Sequence, residues 1–375
     1  MAGTIRKRGK DGWELRFDIG RDVQTGKRKF RYLYVHGTKK QAELTLTETL
    51  HKRDTGNDVT PTKITVADYL DRWLLDYAVV NVAPSTLYRY RQIVARLKPL
   101  LGSHRLQALR PMHIQDAYTC LLADGLASRT VLHHHRVLRL ALKQAIAWQL
   151  STLNPADATT PPRPPRTEMR ALDANEVHTL LEACRDEQLK TIVFTAVGTG
   201  MRLGELLGLR WADLDLTTGA AHIARAAQYL PGAGTTFRTT KTARSRRNVA
   251  LSPDTTRALR EHRARQAERR LAIGPNYDDG DLVFATIEGH VFAPNVVSRQ
   301  FHDLVKRTNV GAVRFHDLRH TAATLMLKAG VHPKIVSERL GHSTISITLD
   351  TYSHVLPDMQ RDAAVALDAI LAAGR

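Results

Sequence analysis

Two residue pairs in the second half of the chain have types and spacings that could bind a phosphate group. Arg202 follows a glycine turn at the predicted start of a helix, and Glu205 would share its helix face and could fix the guanidinium. Taken alone, this pair is better explained as a structural ion pair. His316 and Arg319 also share a face, near the N-terminus of a predicted helix, where the helix dipole favours an anion.

Three further residues could complete a site for chemistry on a phosphate ester. His342 follows a short predicted helix opened by Pro333, and Tyr352 comes ten residues later. Lys241 lies between two predicted strands, at the tip of a hairpin, where its side chain would be mobile and extended. In isolation each has an ordinary explanation, because such a tyrosine is more often a packing residue and a turn lysine is usually solvated. The combination is what indicates a function.

Four motifs contain these residues, in the order TGMRLGELLGLRW, KTARSRRNVAL, HDLRHTAATLML and LGHSTISITLDTYSHV. Together they resemble the tyrosine recombinase (phage integrase) family over the whole of residues 171–375. The preceding segments resemble the arm-site-binding and core-binding domains of the larger integrases. Some relatives have Trp in the place of His342. Four motifs in the family's order make a chance match an inadequate explanation.

The resemblance implies a site-specific DNA recombinase, or integrase, that cuts and rejoins DNA to integrate or excise a mobile element. Arg202 and Arg319 would neutralise the charge that develops on the scissile phosphate, through planar bidentate contacts. Tyr352 would attack the phosphorus. Because its ordinary pKa is about 10, it needs a proton acceptor, for which His316 is the candidate. Lys241 would protonate the leaving 5′ oxygen.

The same resemblance implies supporting roles and a product. His342 would donate a hydrogen bond to the scissile phosphate, Glu205 would steady Arg202, and His320 is a further supporting candidate. The product would be a 3′-phosphotyrosyl bond, which stores the energy of the cut phosphodiester, so that strands rejoin without ATP. No cofactor and no metal is expected, since two arginines neutralise the charge.

Several segments are expected to position this site. The chain is predicted to be multidomain, with a small three-stranded β-sheet plus helix as an arm-type DNA-binding domain at 1–60 and a helical core-binding bundle at 62–155. A basic Pro-rich linker follows at 156–170. A mainly-α, α+β catalytic domain of the tyrosine recombinase type then occupies 171–375, with a tail helix at its end.

Strand patterns and basic side chains characterise the first segment. Alternating apolar residues at 13–19 predict a strand with one buried face, residues 30–35 predict a second, and residues 4–8 a short edge strand. Thr38 and Gln41 predict a capping box at the start of a helix. A basic ribbon can lie in a DNA groove, although a solvated sheet face explains the charges equally well. The predicted DNA-binding residues here are Arg6, Lys7, Arg8, Arg16, Lys27, Arg28, Lys29 and Arg31.

Helical spacing predicts four helices in the second segment, the first capped by Thr65 and the second opened by Ser85. Consecutive histidines at 133–135 point in different directions, which predicts surface residues rather than a metal site. The linker's prolines forbid a helix, and its arginines could form a strap on DNA or simply be solvated. The DNA-binding candidates of these segments are Arg89, Arg91, Arg163 and Arg166.

Helices dominate the prediction for the third segment. Strand character is confined to residues 222–229, 235–240 and 247–251. Residues 357–373 predict an apolar tail helix. Relatives dock such a tail onto a neighbouring subunit, and packing on its own domain is an equally good explanation.

Charge and composition restrict the partners. The formal charge of +18 argues for a polyanion, and DNA is favoured over an anionic membrane because the basic residues are spread along the whole chain. Neither a secretory signal nor a run of roughly 18 apolar residues is present, which predicts a cytoplasmic protein acting on DNA. Cys120 and Cys184 lack metal-ligand spacing and are interpreted as core residues.

Expected partners are double-stranded DNA attachment sites and other copies of this chain in a homotetramer that passes through a Holliday junction. A DNA-bending factor and an excisionase are further candidates. Two alternatives share part of these features: a type IB topoisomerase-like enzyme that relaxes DNA, and a non-catalytic DNA-binding protein. The β-rich N-terminal segment and the closer match of the motifs to integrases count against the first, and competent residues at all six catalytic positions count against the second.

Overall fold

The computed structural model describes residues 3–21, 25–54, 62–165, 170–239, 246–352 and, near the C-terminus, 364–365, 367–369 and 371–372. The chain divides into two compact units, Met1–Arg166 and Thr167–Arg375. Each unit contains two separate clusters of buried apolar side chains within the described residues. No helix in these ranges is long and apolar enough to span a membrane.

The first unit begins with an antiparallel sheet of β1 (Thr4–Arg8), β2 (Gly12–Arg21) and β3 (Arg28–His36), followed by α1 (Lys39–Asp54). Side chains alternate across a strand, so β2 presents its apolar residues on one face, and that face packs against α1. The predicted capping box is present, since the Thr38 amide donates to the Gln41 side chain over 2.8 Å. The buried residues of this small core are Leu15, Phe17, Ala42 and Leu46.

A helical bundle forms the rest of the first unit. Its helices are α2 (Val66–Trp73), α3 (Val79–Asn81), α4 (Pro84–Leu101), α5 (Pro111–Ala123) and α6 (Ser128–Ala147). A π-helical stretch, Leu74–Ala78, makes α2 and α3 one continuous element, so the bundle has the four helical segments that the spacing predicts. Thr65 caps α2 as expected, whereas α4 begins at Pro84 and not after Ser85, because a proline at the first helical position needs no acceptor for an N–H.

The three consecutive histidines of α6 are not all surface residues. His134 and His135 are buried, so the prediction for them was wrong. His134 Nδ1 lies 2.8 Å from the Thr130 carbonyl oxygen, and His135 Nδ1 lies 2.8 Å from the Tyr118 hydroxyl. Burial lowers the pKa of both, which keeps them neutral. Successive residues on a helix are about 100° apart, so adjacent positions can both face a broad core.

The second unit is mainly helical. Its helices are α7 (Ala174–Ala183), α8 (Glu187–Thr199), α9 (Leu203–Leu207), α10 (Pro253–Ile273), α11 (Pro294–Lys306), α12 (Asp317–Lys328), α13 (Pro333–Leu340) and α14 (Ile345–Tyr352). Its strands are β4 (Leu214–Asp215), β5 (Ala220–Ile223), β6 (Arg225–Leu230), β7 (Gly234–Thr239) and β8 (Arg247–Ala250). Near the C-terminus, the described residues at 364–365, 367–369 and 371–372 are helical.

Strand pairing in this unit differs from the sequence prediction in two ways. The single strand expected at 222–229 is two strands, because β5 joins a β4–β5–β8 sheet while β6 pairs only with β7. β7 and β8, which precede and follow Lys241, therefore belong to different sheets, and the expected hairpin between them was wrong. Alternation of apolar residues identifies a strand but does not name its partner.

We expect the stability of the second unit to fall as the pH falls from about 6.5 toward about 4. His262 on α10 is buried, and its Nε2 lies 2.7 Å from the Val283 carbonyl oxygen. Burial lowers the pKa of His262 to about 4. The unfolded chain takes up a proton on this side chain below pH 6.5, whereas the folded chain does not until about pH 4. His262 can therefore contribute up to about 1.4 kcal/mol per pH unit in that window, and nothing above it.

Urea unfolding at pH 7, 6 and 5 measures this dependence, with His262→Gln as the comparison. The variant should show a shallower loss of unfolding free energy than the parent chain. Equal slopes in the two proteins would contradict the assignment to His262.

Candidate active site

Arg202 is held at the start of α9 by Glu205. Gly200 ends α8 in the left-handed conformation, with φ of 68°, and Arg202 then caps the next helix. The Arg202 amide donates to Glu205 Oε2 over 2.9 Å and Nη1 donates to Oε1 over 2.8 Å. The Arg202 side chain remains 43% exposed while that of Glu205 is only 5% exposed. The guanidinium is thus fixed at one end and available to a ligand.

Arg319 is the third residue of α12 and is buried. Its Nη1 donates to the Gly200 carbonyl over 2.8 Å and its Nη2 to the Leu340 carbonyl over 2.5 Å. Burial and then the neighbouring charge of Arg202 lower the pKa of Arg319 to about 9, so it stays charged at neutral pH. Two arginines that come from distant motifs therefore create a concentrated positive site.

Tyr352, at the end of α14, is only 3% exposed. Its hydroxyl oxygen lies 2.7 Å from Nδ1 of His320 on α12. Burial raises the pKa of Tyr352 to about 12, opposed by the charge of Arg319, and burial together with His316 lowers the pKa of His320 to about 4. In this structure the phenol is therefore protonated and the imidazole neutral.

Two further histidines border this cluster. The His316 ring packs edge-on against His320 with 5.2 Å between ring centroids, and partial desolvation followed by Arg319 lowers the pKa of His316. His342 Nδ1 lies 2.8 Å from Oγ1 of Thr348 on α14, and burial lowers the pKa of His342 to about 4. The predicted His316, Arg319, His320, His342 and Tyr352 are thus linked through α12 and α14.

Not every predicted site residue can be placed. Lys241 and Arg166 lie outside the residues that the structure describes. The predicted proton acceptor, His316, is not the residue in hydrogen-bond contact with the phenol, because His320 occupies that place. Within the described ranges there is also no group of three His, Cys, Asp or Glu side chains arranged for a metal ion.

Sequence reasoning missed Arg247 and Thr348. Arg247 is buried on β8, where its Nη1 and Nη2 donate to the two oxygens of Glu205 over 3.2 and 2.8 Å. The alternation in RRNVAL carries a signal, because Arg247 shares its strand face with the buried Val249. Thr348 offered no signal, since a threonine in a short helix is ordinary.

The predicted DNA-binding residues of the first sheet lie on both of its faces. Arg6, Arg8 and Arg16 share the face opposite α1, whereas Lys7 and Arg31 are paired with Trp13 and Phe17 on the α1 side. The outer face also carries the exposed rings of Phe30, Tyr32 and Tyr34. The Arg16 guanidinium carbon lies 3.8 Å from the Phe30 ring centroid. Lys27, Arg28 and Lys29 are exposed around the start of β3.

The predicted residues farther along the first unit are also exposed. Arg89 and Arg91 lie on the solvent side of α4, and Arg163 lies in the proline-rich stretch after the bundle. Their positions are compatible with contacts to a polyanion.

Fixed guanidinium groups, neutral histidines and a buried tyrosine lie in one unit, and these are the groups that phosphoryl transfer through a covalent protein intermediate would require. The family model described as "Phage integrase family" matches residues 170–359, just over half of the chain. A second family model, described as "Phage integrase, N-terminal SAM-like domain", matches residues 65–122. The chain belongs to the phage integrase family and is an enzyme of site-specific DNA cleavage and rejoining.

Individual relatives agree with this assignment. A "Tyrosine recombinase XerC-like" protein of Caldanaerobacter subterraneus subsp. tengcongensis is 29% identical, over 96% of this chain and 97% of its own length. An integrase of Streptomyces ambofaciens is 27% identical over 90% of this chain and 88% of its own length. These matches do not favour the topoisomerase or the non-catalytic alternative.

Solved structures are similar in fold. The Tn1549 transposon integrase in complex with transposon right end DNA has a TM-score of 0.70 and 21% identity, over 81% of this chain and all of the compared chain (100%). A lambda integrase tetramer bound to a Holliday junction has a TM-score of 0.57 and 19% identity, over 91% of this chain and 96% of its own. The chain therefore has the tyrosine recombinase integrase fold.

Proposed function

We propose that this integrase cuts DNA by attack of Tyr352 on a phosphodiester held by Arg202 and Arg319. The observation that carries the proposal is the convergence of these three residues from motifs up to 150 positions apart, since Arg319 bonds the Gly200 carbonyl, two residues before Arg202, and its charge acts on Tyr352. The P–O5′ bond breaks as the Tyr352 oxygen bonds to phosphorus, which leaves a 3′-phosphotyrosyl link and a free 5′ hydroxyl. Attack by another 5′ hydroxyl reverses the step, so strands rejoin without ATP.

The arginines act on charge. A phosphodiester approaching five-coordination places extra negative charge on its non-bridging oxygens, and rigid guanidinium donors stabilise that charge more than they stabilise the ground state. Arg319 is rigid because two main-chain carbonyls hold it. Arg202 is rigid because Glu205 holds it. His342 is proposed to add a hydrogen bond to the same phosphate.

The proton of Tyr352 needs a destination. With Nδ1 unprotonated, His320 accepts the hydroxyl hydrogen over 2.7 Å, which makes it the acceptor that the contact supports, in place of His316. The low pKa of His320 opposes the transfer, but the negative charge of a bound phosphate would raise it. Lys241, outside the described residues, is proposed to protonate the leaving 5′ oxygen.

The other segments are proposed to bind and align DNA. Residues 1–60 would be the arm-type domain, 62–155 the core-binding domain, 156–170 a basic strap and 171–375 the catalytic domain. The sheet face with Arg16, Phe30 and Tyr32 offers both charge and stacking surfaces to a groove.

A homotetramer passing through a Holliday junction is proposed as the active assembly, in line with the lambda integrase structure. The exposed side chains of Val365, Leu367 and Leu371 give the tail helix an apolar surface for a neighbouring subunit. A DNA-bending factor and an excisionase stay predictions.

Covalent trapping tests the chemistry. The protein is mixed with a labelled duplex that carries the attachment sequence flanking its gene and a nick close to the cleavage point, so that the short 5′-hydroxyl fragment is lost. A labelled band of the mass of protein plus DNA on a denaturing gel is the expected result. Absence of that band, on a duplex shown to be bound, would overturn the proposal.

We expect DNA affinity to fall steeply with salt. If six to ten phosphates are contacted, the association constant should drop by about 10³–10⁵ between 50 and 200 mM salt, because each contact releases condensed counterions. Fluorescence anisotropy with a labelled attachment-site duplex measures the slope. A flat response would contradict the view that the net charge of +18 serves DNA binding.

A further inference from the structure

Arg247 forms hydrogen bonds with two parts of the proposed site. Its Nη1 and Nη2 donate to Glu205 Oε1 and Oε2, while its Nε donates to the Arg339 carbonyl over 2.8 Å. The side chains of Arg247 and Glu205 are only 7% and 5% exposed. One guanidinium therefore joins β8 to the carboxylate below Arg202 and to the end of α13.

Each carboxylate oxygen of Glu205 accepts two hydrogen bonds in this arrangement. Oε1 accepts from Arg202 Nη1 and from Arg247 Nη1, and Oε2 accepts from the Arg202 amide and from Arg247 Nη2. Four charge-assisted or backbone hydrogen bonds fix the carboxylate in one orientation. The direction of the Arg202 guanidinium thus depends on a carboxylate that the buried Arg247 holds through two hydrogen bonds.

Two arginines hold the C-terminal end of α13 by hydrogen bonds to its carbonyl groups. The Arg339 carbonyl accepts from Arg247, and the next carbonyl, that of Leu340, accepts from Arg319. Gly341 then turns in the left-handed conformation and packs on Arg247, since a Cβ at Gly341 would lie 2.9 Å from Arg247 Nη1. His342 follows directly, so its backbone starts from a turn that Arg247 supports.

We infer that Arg247 is a positioning residue of the cleavage reaction, which keeps Glu205 ionised and oriented and thereby aims Arg202 at the scissile phosphate. This inference rests on the proposed function. Arg247 itself need not touch DNA, because its donors are directed at Glu205 and the Arg339 carbonyl.

The protonation of Glu205 provides a specific readout. Burial alone pushes the pKa of Glu205 upward, but hydrogen bonds and charge from Arg247, followed by those from Arg202, outweigh burial and hold the pKa below its ordinary value. The charged groups that face Glu205 are Arg202 on α9, Arg247 on β8 and Arg319 on α12. Without Arg247, a buried carboxylate keeps one hydrogen-bonded guanidinium, and its pKa should rise.

The experiment measures single-turnover formation of the covalent complex by the full chain between pH 5.5 and 8.5. Arg247→Met removes the charge and keeps the stem. It should cleave about 10²-fold more slowly at neutral pH, as expected when a reacting geometry is displaced by roughly 1 Å. Its cleavage rate should also rise with pH, and this rising limb of the pH profile should be absent from the parent chain. Arg247→Lys retains a charge beside Glu205, so its rate should be reduced without the new pH limb.

Two controls separate this role from general stabilisation. Arg210→Met breaks another arginine–carboxylate pair of the same unit, that of Arg210 with Asp213, and should leave the rate and its pH profile unchanged. Adding Glu205→Gln to Arg247→Met should remove the pH limb, because the titrating group is gone.

Three results would overturn the inference. The first is cleavage by Arg247→Met at a rate within threefold of the parent chain, and the second is a loss of rate in Arg247→Met that does not depend on pH. The third is a rise of rate with pH in Arg247→Lys equal to that in Arg247→Met. If Arg247→Met does not fold, the comparison of Arg247→Lys with the parent decides, since an unchanged rate there contradicts a positioning role. If the parent chain forms no covalent complex, the proposed function fails instead.

Discussion

Tyr352→Phe is expected to abolish the covalent protein–DNA complex while leaving DNA binding intact. The variant keeps the aromatic ring, which packs in a small core with Leu340 and Val336, and removes only the hydroxyl. The proposed reaction requires the Tyr352 oxygen to bond to phosphorus, so the loss should reach the detection limit of the gel. DNA affinity, measured in parallel by anisotropy, should change by less than about threefold, as expected when one uncharged hydroxyl is lost and the phosphate-binding arginines stay.

The chain contains a matched control for this change. Tyr118 is also fully buried, and its hydroxyl also meets a histidine Nδ1, that of His135, over 2.8 Å. Tyr118→Phe therefore removes the same kind of hydrogen bond in the other unit and costs comparable stability, about 1–3 kcal/mol if the histidine is left without a partner. Covalent complex should persist in Tyr118→Phe. Its persistence in Tyr352→Phe would refute the nucleophile assignment.

Arg202→Lys is expected to slow single-turnover cleavage by about 10²–10³-fold, the usual cost of losing a fixed donor to transition-state charge. Lysine retains the charge but has no planar fork, so it cannot reproduce the rigid bidentate geometry with which Arg202 would meet a phosphate. The effect should appear in the cleavage rate more than in DNA affinity, because the charge that Arg202 neutralises develops mainly during the reaction.

Arg210 supplies the comparison for Arg202, because Asp213 holds it through its amide and its guanidinium in the same three-residue arrangement. Arg210→Lys should cleave at the parent rate. A loss of equal size in both variants would show that the Arg202 effect comes from folding, and a loss of less than about fivefold in Arg202→Lys would remove Arg202 from the proposed mechanism.

Local patterns predicted much of the fold because they act over a few residues. Thr65 and the Thr38–Gln41 pair both cap helices as expected, since a side chain that accepts from a nearby amide needs no distant partner. The partners of β5 and β6 were not predictable in this way. Pairing joins strands across many residues, and alternation in one strand carries no label for its neighbour.

In the site, too, contacts between nearby residues were predictable and contacts between distant residues were not. Glu205 was correctly expected to fix Arg202, because the two lie three residues apart on one helix. Arg247 reaches Glu205 from 42 residues away, and although its alternation with Val249 marks a buried strand face, no local pattern identifies its partner. The choice between His316 and His320 as the neighbour of Tyr352 likewise depended on how α14 lies against α12, which no spacing within either motif states.

The burial of Tyr352 has a consequence for the protein when it is not bound to its target. A phenol that is 3% exposed and already hydrogen-bonded is poorly accessible to water-borne electrophiles and to stray phosphate esters. Under the proposed mechanism the nucleophile is therefore shielded in this structure, and its oxygen has to become exposed before it can reach a phosphorus atom. Reactivity would then be tied to occupancy of the target, which would limit accidental strand breaks in other DNA.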